Sequence, residues 1–189
     1  DAKPQATGSP AGPVCLESRG SQGSIVWLFD SNLAGGRSAP TRLTLGDGST
    51  LSMYAGEQSV AWALFDVHLF DRATLDFCNL CVFALVGSVL VCFGPAGALG
   101  ALSINGSGFE LNAPTGAEPL VERHEGVTIV VCNEQSIDAT VVSADAVYVG
   151  ASGLDAEGQP LPRPDYGRIT RIAADGEKST LAGAGRQKG

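Results

Sequence analysis

The chain has 189 residues, 44% of them hydrophobic, enough to bury one sizeable core with tails at either end. Its formal charge of −8, with no run of Lys or Arg, argues against a nucleic-acid backbone or an anionic membrane surface as a partner. The 25 glycines and 10 prolines are spread along the chain, which suits many turns between short strands far better than a helical bundle.

Residues 1–19, opening DAKPQATGSPAGPV, are rich in Pro, Gly, Ala and Ser and read as a flexible linker. They carry neither the basic start nor the apolar centre of a signal peptide, and Asp1 in place of a methionine fits a processed chain or a fragment. In SIVWLFDSN, Ile25, Trp27 and Phe29 alternate with Val26 and Leu28, a strand whose two faces both call for burial. TRLTLGDGSTLSMY predicts a hairpin turning at Gly46 to Ser49. SVAWALF alternates Val60, Trp62 and Leu64 with small residues, as a strand with the large side chains on its buried face.

The stretch FCNLCVFALVGSVLVCF, residues 77–93, admits a metal or redox site, a membrane span or two buried strands, and no charge occurs between Phe77 and Phe109. Against a span, Gly87, Gly94, Pro95, Gly97 and Gly100 interrupt the run and no basic cluster flanks it. Against zinc, Cys78 and Cys81 have only the scattered His68, Cys92, His124 and Cys132 to complete four ligands. A thioredoxin-type CxxC would open a helix, whereas this one runs into β-branched and aromatic residues. A buried hairpin over 82–93 turning at Gly87-Ser88 accounts for the most residues. The five cysteines then pack as small hydrophobes, with no metal and no cofactor expected; their odd number leaves the redox compartment open, secreted or extracytoplasmic placement included.

Further on, Leu102 and Ile104 pair with Phe109 and Leu111 across Asn105-Gly106, a strong hairpin signal. GVTIVVCN reads as a strand, ATVVSADAVYVG as two strands broken at Ala144 and Asp145, GLDAEGQPLPRPD as a Pro-rich loop, and GRITRIAADGEKSTL as a hairpin turning at Asp175-Gly176. No window carries an amphipathic helix of three turns. The expected class is all-β: an antiparallel β-sandwich, jelly-roll-like or related, over 20–150, followed by a loop, a terminal hairpin and a loose tail over 151–189.

Candidate functional residues are few. EPLVERHEG concentrates Glu118, Glu122, Arg123, His124 and Glu125; Glu122, His124 and Glu125 are the candidate acid and base groups, although a solvated turn before GVTIVV explains the same charges. Tyr166, beside Pro164 and Gly167, and Tyr148 are candidate carbohydrate contacts, while Trp27 and Trp62 sit in apolar strands that favour core packing. DAEG at 155–158 lacks the other oxygens of a calcium loop, and Asn105-Gly106-Ser107 is a glycosylation sequon. No HExxH, GxSxG, P-loop or GxGxxG occurs, so no residue is assigned a catalytic role.

In the order SIVWLFDSN, TRLTLGDGSTLSMYAGEQSVAWALFDVHL, FALVGSVLVCFGPAGALGALSING and EGVTIVVCNE, the chain resembles the β-sandwich region that follows the catalytic barrel in β-galactosidase-type glycoside hydrolases. The resemblance spans roughly residues 20 to 150 and rests on hydrophobic pattern and turns. It implies a non-catalytic accessory module whose partner is the catalytic domain of the same parent chain or a carbohydrate, since the family's acid and nucleophile glutamates belong to the barrel. The alternative is a free-standing secreted or surface β-sandwich that binds or assembles through its loops or edges.

Overall fold

A computed structural model describes residues 5–7, 14–29, 40–44, 48, 50–55, 60–70, 73–138, 140–143, 145–150 and 169–182. The fold is all-β and sandwich-like. The strands are β1 (Gln5–Thr7), β2 (Val14–Gly20), β3 (Gly23–Phe29), β4 (Thr41–Thr44), β5 (Thr50–Met53), β6 (Val60–Phe70), β7 (Ala73–Cys78), β8 (Cys81–Val86) and β9 (Val89–Gly94). They continue with β10 (Leu99–Ile104), β11 (Ser107–Asn112), β12 (Leu120–His124), β13 (Val127–Asn133), β14 (Thr140–Val142), β15 (Ala146–Gly150), β16 (Ile169–Ala173) and β17 (Lys178–Ala182). One helical turn, α1 (Glu134–Ile137), follows β13.

The strands form a seven-stranded sheet in the order β1-β2-β3-β6-β7-β10-β11, two four-stranded sheets, β12-β13-β9-β8 and β14-β15-β16-β17, and the β4-β5 hairpin. At the centre, β9 and β13 run parallel, and every residue of both is buried. Period two then sends alternate side chains into two separate cores. Val89, Val91, Phe93, Val130 and Cys132 enter one, and Leu90, Cys92, Val127, Ile129 and Val131 enter the other. A strand buried on both faces needs a nearly continuous apolar run, which is the character of VLVCF and, apart from Thr128, of GVTIVVC.

The seven-stranded sheet supplies both cores. It gives Val26, Leu28, Ala61 and Ala63 to the first, with Met53, Val147 and Ile172, and Leu75, Cys78, Leu102 and Ile104 to the second. It therefore bends around the β8 edge of the central sheet. The bend is visible in β6, where Asp66 has φ 54° and the register with β7 shifts between His68 and Phe70. Trp62 closes the same edge: its indole Nε1 donates to the Val82 carbonyl at 3.0 Å, satisfying an acceptor on an edge strand. Its ring lies against Trp27 at 5.5 Å and meets Phe93 edge-on at 5.8 Å.

At the corner between the sheets the chain passes from β7 to β8 through Asn79 and Leu80. Leu80 fills a slot between Gly94 and Gly100; a Cβ on Gly100 would stand 2.5 Å from Leu80 Cδ1, and one on Gly94 2.9 Å from Leu80 Cδ2. A side chain at either position would require Leu80 to shift, and at Gly100 it would also press on the Leu111 carbonyl, 3.1 Å away.

Several expectations need adjustment. β1 and all but the last residue of β2 fall within the stretch assigned to a linker; Val14–Gly20 pairs along its whole length with β3 and buries Cys15, an alternation that the surrounding Pro and Gly masked. In β6 the fully buried residues are Ala61 and Ala63, not Trp62, because small side chains let the bending sheet approach the first core while the indole reaches across to the β8 edge. In the 82–93 hairpin, Gly87 takes φ 53° as a two-residue turn needs, and β9 is wholly buried, yet β8 is an edge strand with Phe83 47% exposed. The turn α1 was not expected; Asn133 caps it, accepting from the Ser136 amide at 2.8 Å while its own amide donates to Ser136 Oγ at 3.0 Å. Most of the Gly46 to Ser49 turn, and all of the GLDAEGQPLPRPD loop and the 183–189 tail, lie outside the described residues.

The remaining hairpins match. Leu102 stands opposite Phe109, with Asn105 at φ 51° and Gly106 at φ 76° in the turn. β4 pairs with β5, β14 with β15, and β16 with β17, the last through Gly176 at φ 87°. No helix among the described residues is long and apolar enough to cross a membrane; the uncharged stretch Phe77 to Phe109 forms the end of β7, all of β8, β9 and β10, and the first half of β11, with their turns.

Candidate functional site

The β12-β13 hairpin carries the polar cluster. Its two-residue turn is Glu125-Gly126, both in the left-handed region at φ 49° and φ 79°, so the charges surround a tight, solvated reversal. Glu122 and Arg123 are exposed on β12, and Glu125 is exposed in the turn. His124 behaves differently. Leu120, Glu122 and His124 share the face of β12 that looks toward the second core, and His124, at the end of the strand, reaches the neighbouring β11 edge. There its Nε2 lies 3.0 Å from Ser107 Oγ, and its ring packs on Phe109 with centroids 4.0 Å apart.

A serine hydroxyl at 3.0 Å from an imidazole nitrogen has the separation of a nucleophile and its base. The rest of that machinery is missing among the described residues: His124 has no carboxylate hydrogen-bonded to its other nitrogen, and Phe109 occupies one face of the ring. The contact works as a clip between the open edges of two sheets. Ser107 and Phe109 were not among the sequence candidates, because nothing local indicates that β11 and β12 meet.

The adjacent turn is held in the same way. Asp76 Oδ2 accepts from Ser103 Oγ and from the Gly106 amide, both at 2.7 Å, and Asn105 Oδ1 accepts from the Thr74 amide at 3.0 Å. The Asn105 side chain, half of the sequon, is thereby engaged in pinning its own hairpin to β7.

Tyr148 is half-buried on β15, in a different sheet. On the outer face of that sheet Val141, Tyr148, Arg171 and Ser179 form one cross-strand row. Val141 is 64% exposed, and Leu181, the extra residue where β17 shifts register against β16, is 58% exposed. Arg171 lies 3.6 Å from Asp145, whose carboxyl is held below its ordinary range mainly by the Ser143 hydroxyl. The row therefore joins an aromatic ring, apolar surface and a guanidinium. Tyr166, the other carbohydrate candidate, lies outside the described residues.

The cysteines divide between the cores. Cys78 faces the second and Cys81 the first, so the CxxC spacing places its thiols on opposite sides of a corner, and all five cysteines are buried and unbridged. Among the described residues no three His, Cys, Asp or Glu side chains form a group able to hold a metal. Burial pushes the Cys81 thiol from 9.0 up to about 12, opposed in part by a hydrogen bond from the Trp62 backbone, and burial likewise raises Cys132. Cys81 and Cys132 are thus held as protonated thiols in the folded chain. Their contribution to stability is fully present below the unfolded pKa near 9 and is lost as pH rises toward the folded value. For Cys81 alone the loss is about 1.4 kcal/mol per pH unit, on the order of 4 kcal/mol across the interval. Urea unfolding of reduced protein at successive pH values should show stability falling from pH 9 upward, with a shallower fall in Cys81→Ala; equal slopes in the two proteins would contradict this assignment.

A scan against protein-family models finds no match to the chain, and a search of curated proteins finds none either.

Proposed function

We propose that the chain is a non-catalytic β-sandwich module of a carbohydrate-active enzyme of the β-galactosidase type, contacting carbohydrate or supporting the catalytic domain of its parent chain. The observation that carries this reading is the outer face of the β14-β17 sheet. A tyrosine ring between an aliphatic neighbour and a guanidinium suits a sugar, whose C–H face packs on the ring while its hydroxyls accept from the cation. The polar side chains elsewhere support a role without chemistry: Glu122 and Glu125 are exposed, His124 and Asp76 hold strand edges and turns, and glycoside hydrolysis needs two carboxyl groups facing one another across the scissile bond.

Calorimetric titration of the folded chain with galactose-containing oligosaccharides tests the reading. Saturable binding that weakens about tenfold or more in Tyr148→Ala, with unchanged thermal stability, is expected; loss of a stacked ring and its hydrogen bond has that size. Hydrolysis of aryl β-galactosides should stay at background. Turnover abolished by Glu122→Gln, Glu125→Gln or His124→Gln in a folded variant would make the β12-β13 turn an active site and overturn the proposal.

The exposure of Val141 and Leu181 favours a second reading, a free-standing binding or assembly protein that uses this face against another protein. Absence of any saccharide binding, together with self-association relieved by Val141→Lys, would decide for it.

A further inference from the structure

Asn105-Gly106 is the one Asn-Gly step in the chain, and it forms the turn between β10 and β11 with φ of 51° and 76°. In such a step the side-chain amide carbon lies one ring closure away from the next main-chain nitrogen, and glycine puts no side chain in the way. Nothing stands within 4 Å of where a Cβ on Gly106 would lie, and both residues are exposed, so packing does not shield the reacting atoms. Hydrogen bonds do. The Gly106 amide, the attacking group, donates to Asp76 Oδ2 at 2.7 Å, and the Asn105 side-chain carbonyl, the group attacked, accepts from the Thr74 amide at 3.0 Å. The Asn105 main-chain amide in turn donates to the Thr74 carbonyl at 3.0 Å, and Ser103 Oγ donates to the same Asp76 oxygen at 2.7 Å. Nucleophile and electrophile are each tied to β7 instead of to one another.

We propose that Asn105 is a deamidation site guarded by Asp76, intact while the hairpin tip is docked on β7 and converted when the tip opens. The reaction needs only water. The Gly106 nitrogen gives up its proton to solvent hydroxide and attacks Asn105 Cγ; the N–Cγ bond forms, the Cγ–Nδ2 bond breaks, and ammonia leaves with a proton taken from water. Water then opens the cyclic imide, at Cγ to give aspartate or at the main-chain carbonyl to give isoaspartate. In sum, an amide and water become a carboxylate and an ammonium ion, with no oxidant or reductant. The Asp76 carboxylate opposes the first step twice: its hydrogen bond holds the proton on Gly106, and its charge disfavours the amide anion that must form. Either product adds a carboxylate to a tip that leans on Asp76, so a converted tip docks less firmly. Isoaspartate also lengthens the main chain by a methylene just before Gly106 and Ser107, the latter being the residue that meets His124.

The test is incubation of the folded 189-residue chain at mildly alkaline pH, followed by peptide mapping that separates the asparagine, aspartate and isoaspartate forms of the peptide containing Asn105. The same chain held in guanidinium chloride supplies the unguarded rate. Folded protein should convert about tenfold or more slowly than denatured protein, because the tip must first break its bonds to β7. Folded Asp76→Asn, which keeps an acceptor oxygen but no charge, should convert about fivefold faster than the folded wild type, the difference between a charged and a neutral acceptor. Asp76→Ala, with no acceptor, should convert faster still. Should Asp76→Ala fail to fold, Asp76→Asn carries the comparison, and the ratio of denatured to folded rates in the wild type is independent of both variants. Equal rates in folded and denatured wild type, or a folded Asp76 variant that converts no faster than the wild type, would overturn the proposal.

Discussion

Val89→Asp leaves the chain unfolded at 25 °C. Val89 opens β9 with 3% of its surface exposed, faces the first core beside Val91, and stands between Val86 of β8 and Thr128 of β13. An aspartate there has no cation among its core neighbours, and an uncompensated buried charge costs about 3–5 kcal/mol. Loss of the valine's packing adds about 1–3 kcal/mol. Together these match the whole stability of an ordinary domain, about 5–15 kcal/mol, at its lower end. Val141→Asp is the control, since that side chain is 64% exposed and should change stability by about 0.5 kcal/mol or less. Far-UV circular dichroism and denaturant titration of both variants check the pair. A Val89→Asp protein that unfolds at the wild-type denaturant concentration would mean that β9 is not in the core.

Asn79→Ala has the next largest effect. The corner between β7 and β8 is only 3% exposed at Asn79, and the side chain completes three backbone groups from two other elements. Nδ2 donates to the Ser52 carbonyl at 2.8 Å and to the Leu99 carbonyl at 3.3 Å, while Oδ1 accepts from the Ala101 amide at 2.7 Å. Alanine removes the partner and leaves buried donors and acceptors behind, at about 1–3 kcal/mol for each group that water cannot reach. A net loss of about 3–5 kcal/mol is expected, read as a lower denaturant midpoint with unchanged slope. Asn79→Asp keeps the acceptor for Ala101 but no longer donates, so it should be destabilised as well. A change below about 1 kcal/mol in Asn79→Ala would show that the corner is open to solvent.

The local elements were readable because their signals are local. Alternation in IVWLF, the Asn105-Gly106 and Gly87-Ser88 turns, and Asp175-Gly176 each specify a strand or a reversal within a few residues, and the structure has a hairpin at each turn. What joins the hairpins was not readable. The parallel pairing of β9 with β13 spans three intervening strands, and its only trace in sequence is that both runs are apolar apart from Thr128 and the terminal Asn133. The same limit hid the contact of His124 with Ser107 and Phe109, which exists because the β11 and β12 edges happen to adjoin. It also disguised the cysteines. Spacing drew attention to Cys78 with Cys81, whereas the turn of the corner through Asn79 and Leu80 sends the two side chains into different cores. β2 escaped notice for a compositional reason, since a short strand of mixed polarity beside Pro and Gly resembles a linker until β3 is seen to pair with it.

Amide hydrogen exchange at neutral pH tests the central arrangement most directly, a parallel β9-β13 pair buried between two cores. Amides bonded within this pair have no route to water short of global unfolding, so they should exchange slowest, with protection equal to the full unfolding free energy. The pairs β1-β2 and β16-β17, at sheet edges, should open at much lower cost. Rapid exchange in β9 or β13, at the rate of those edges, would contradict the arrangement.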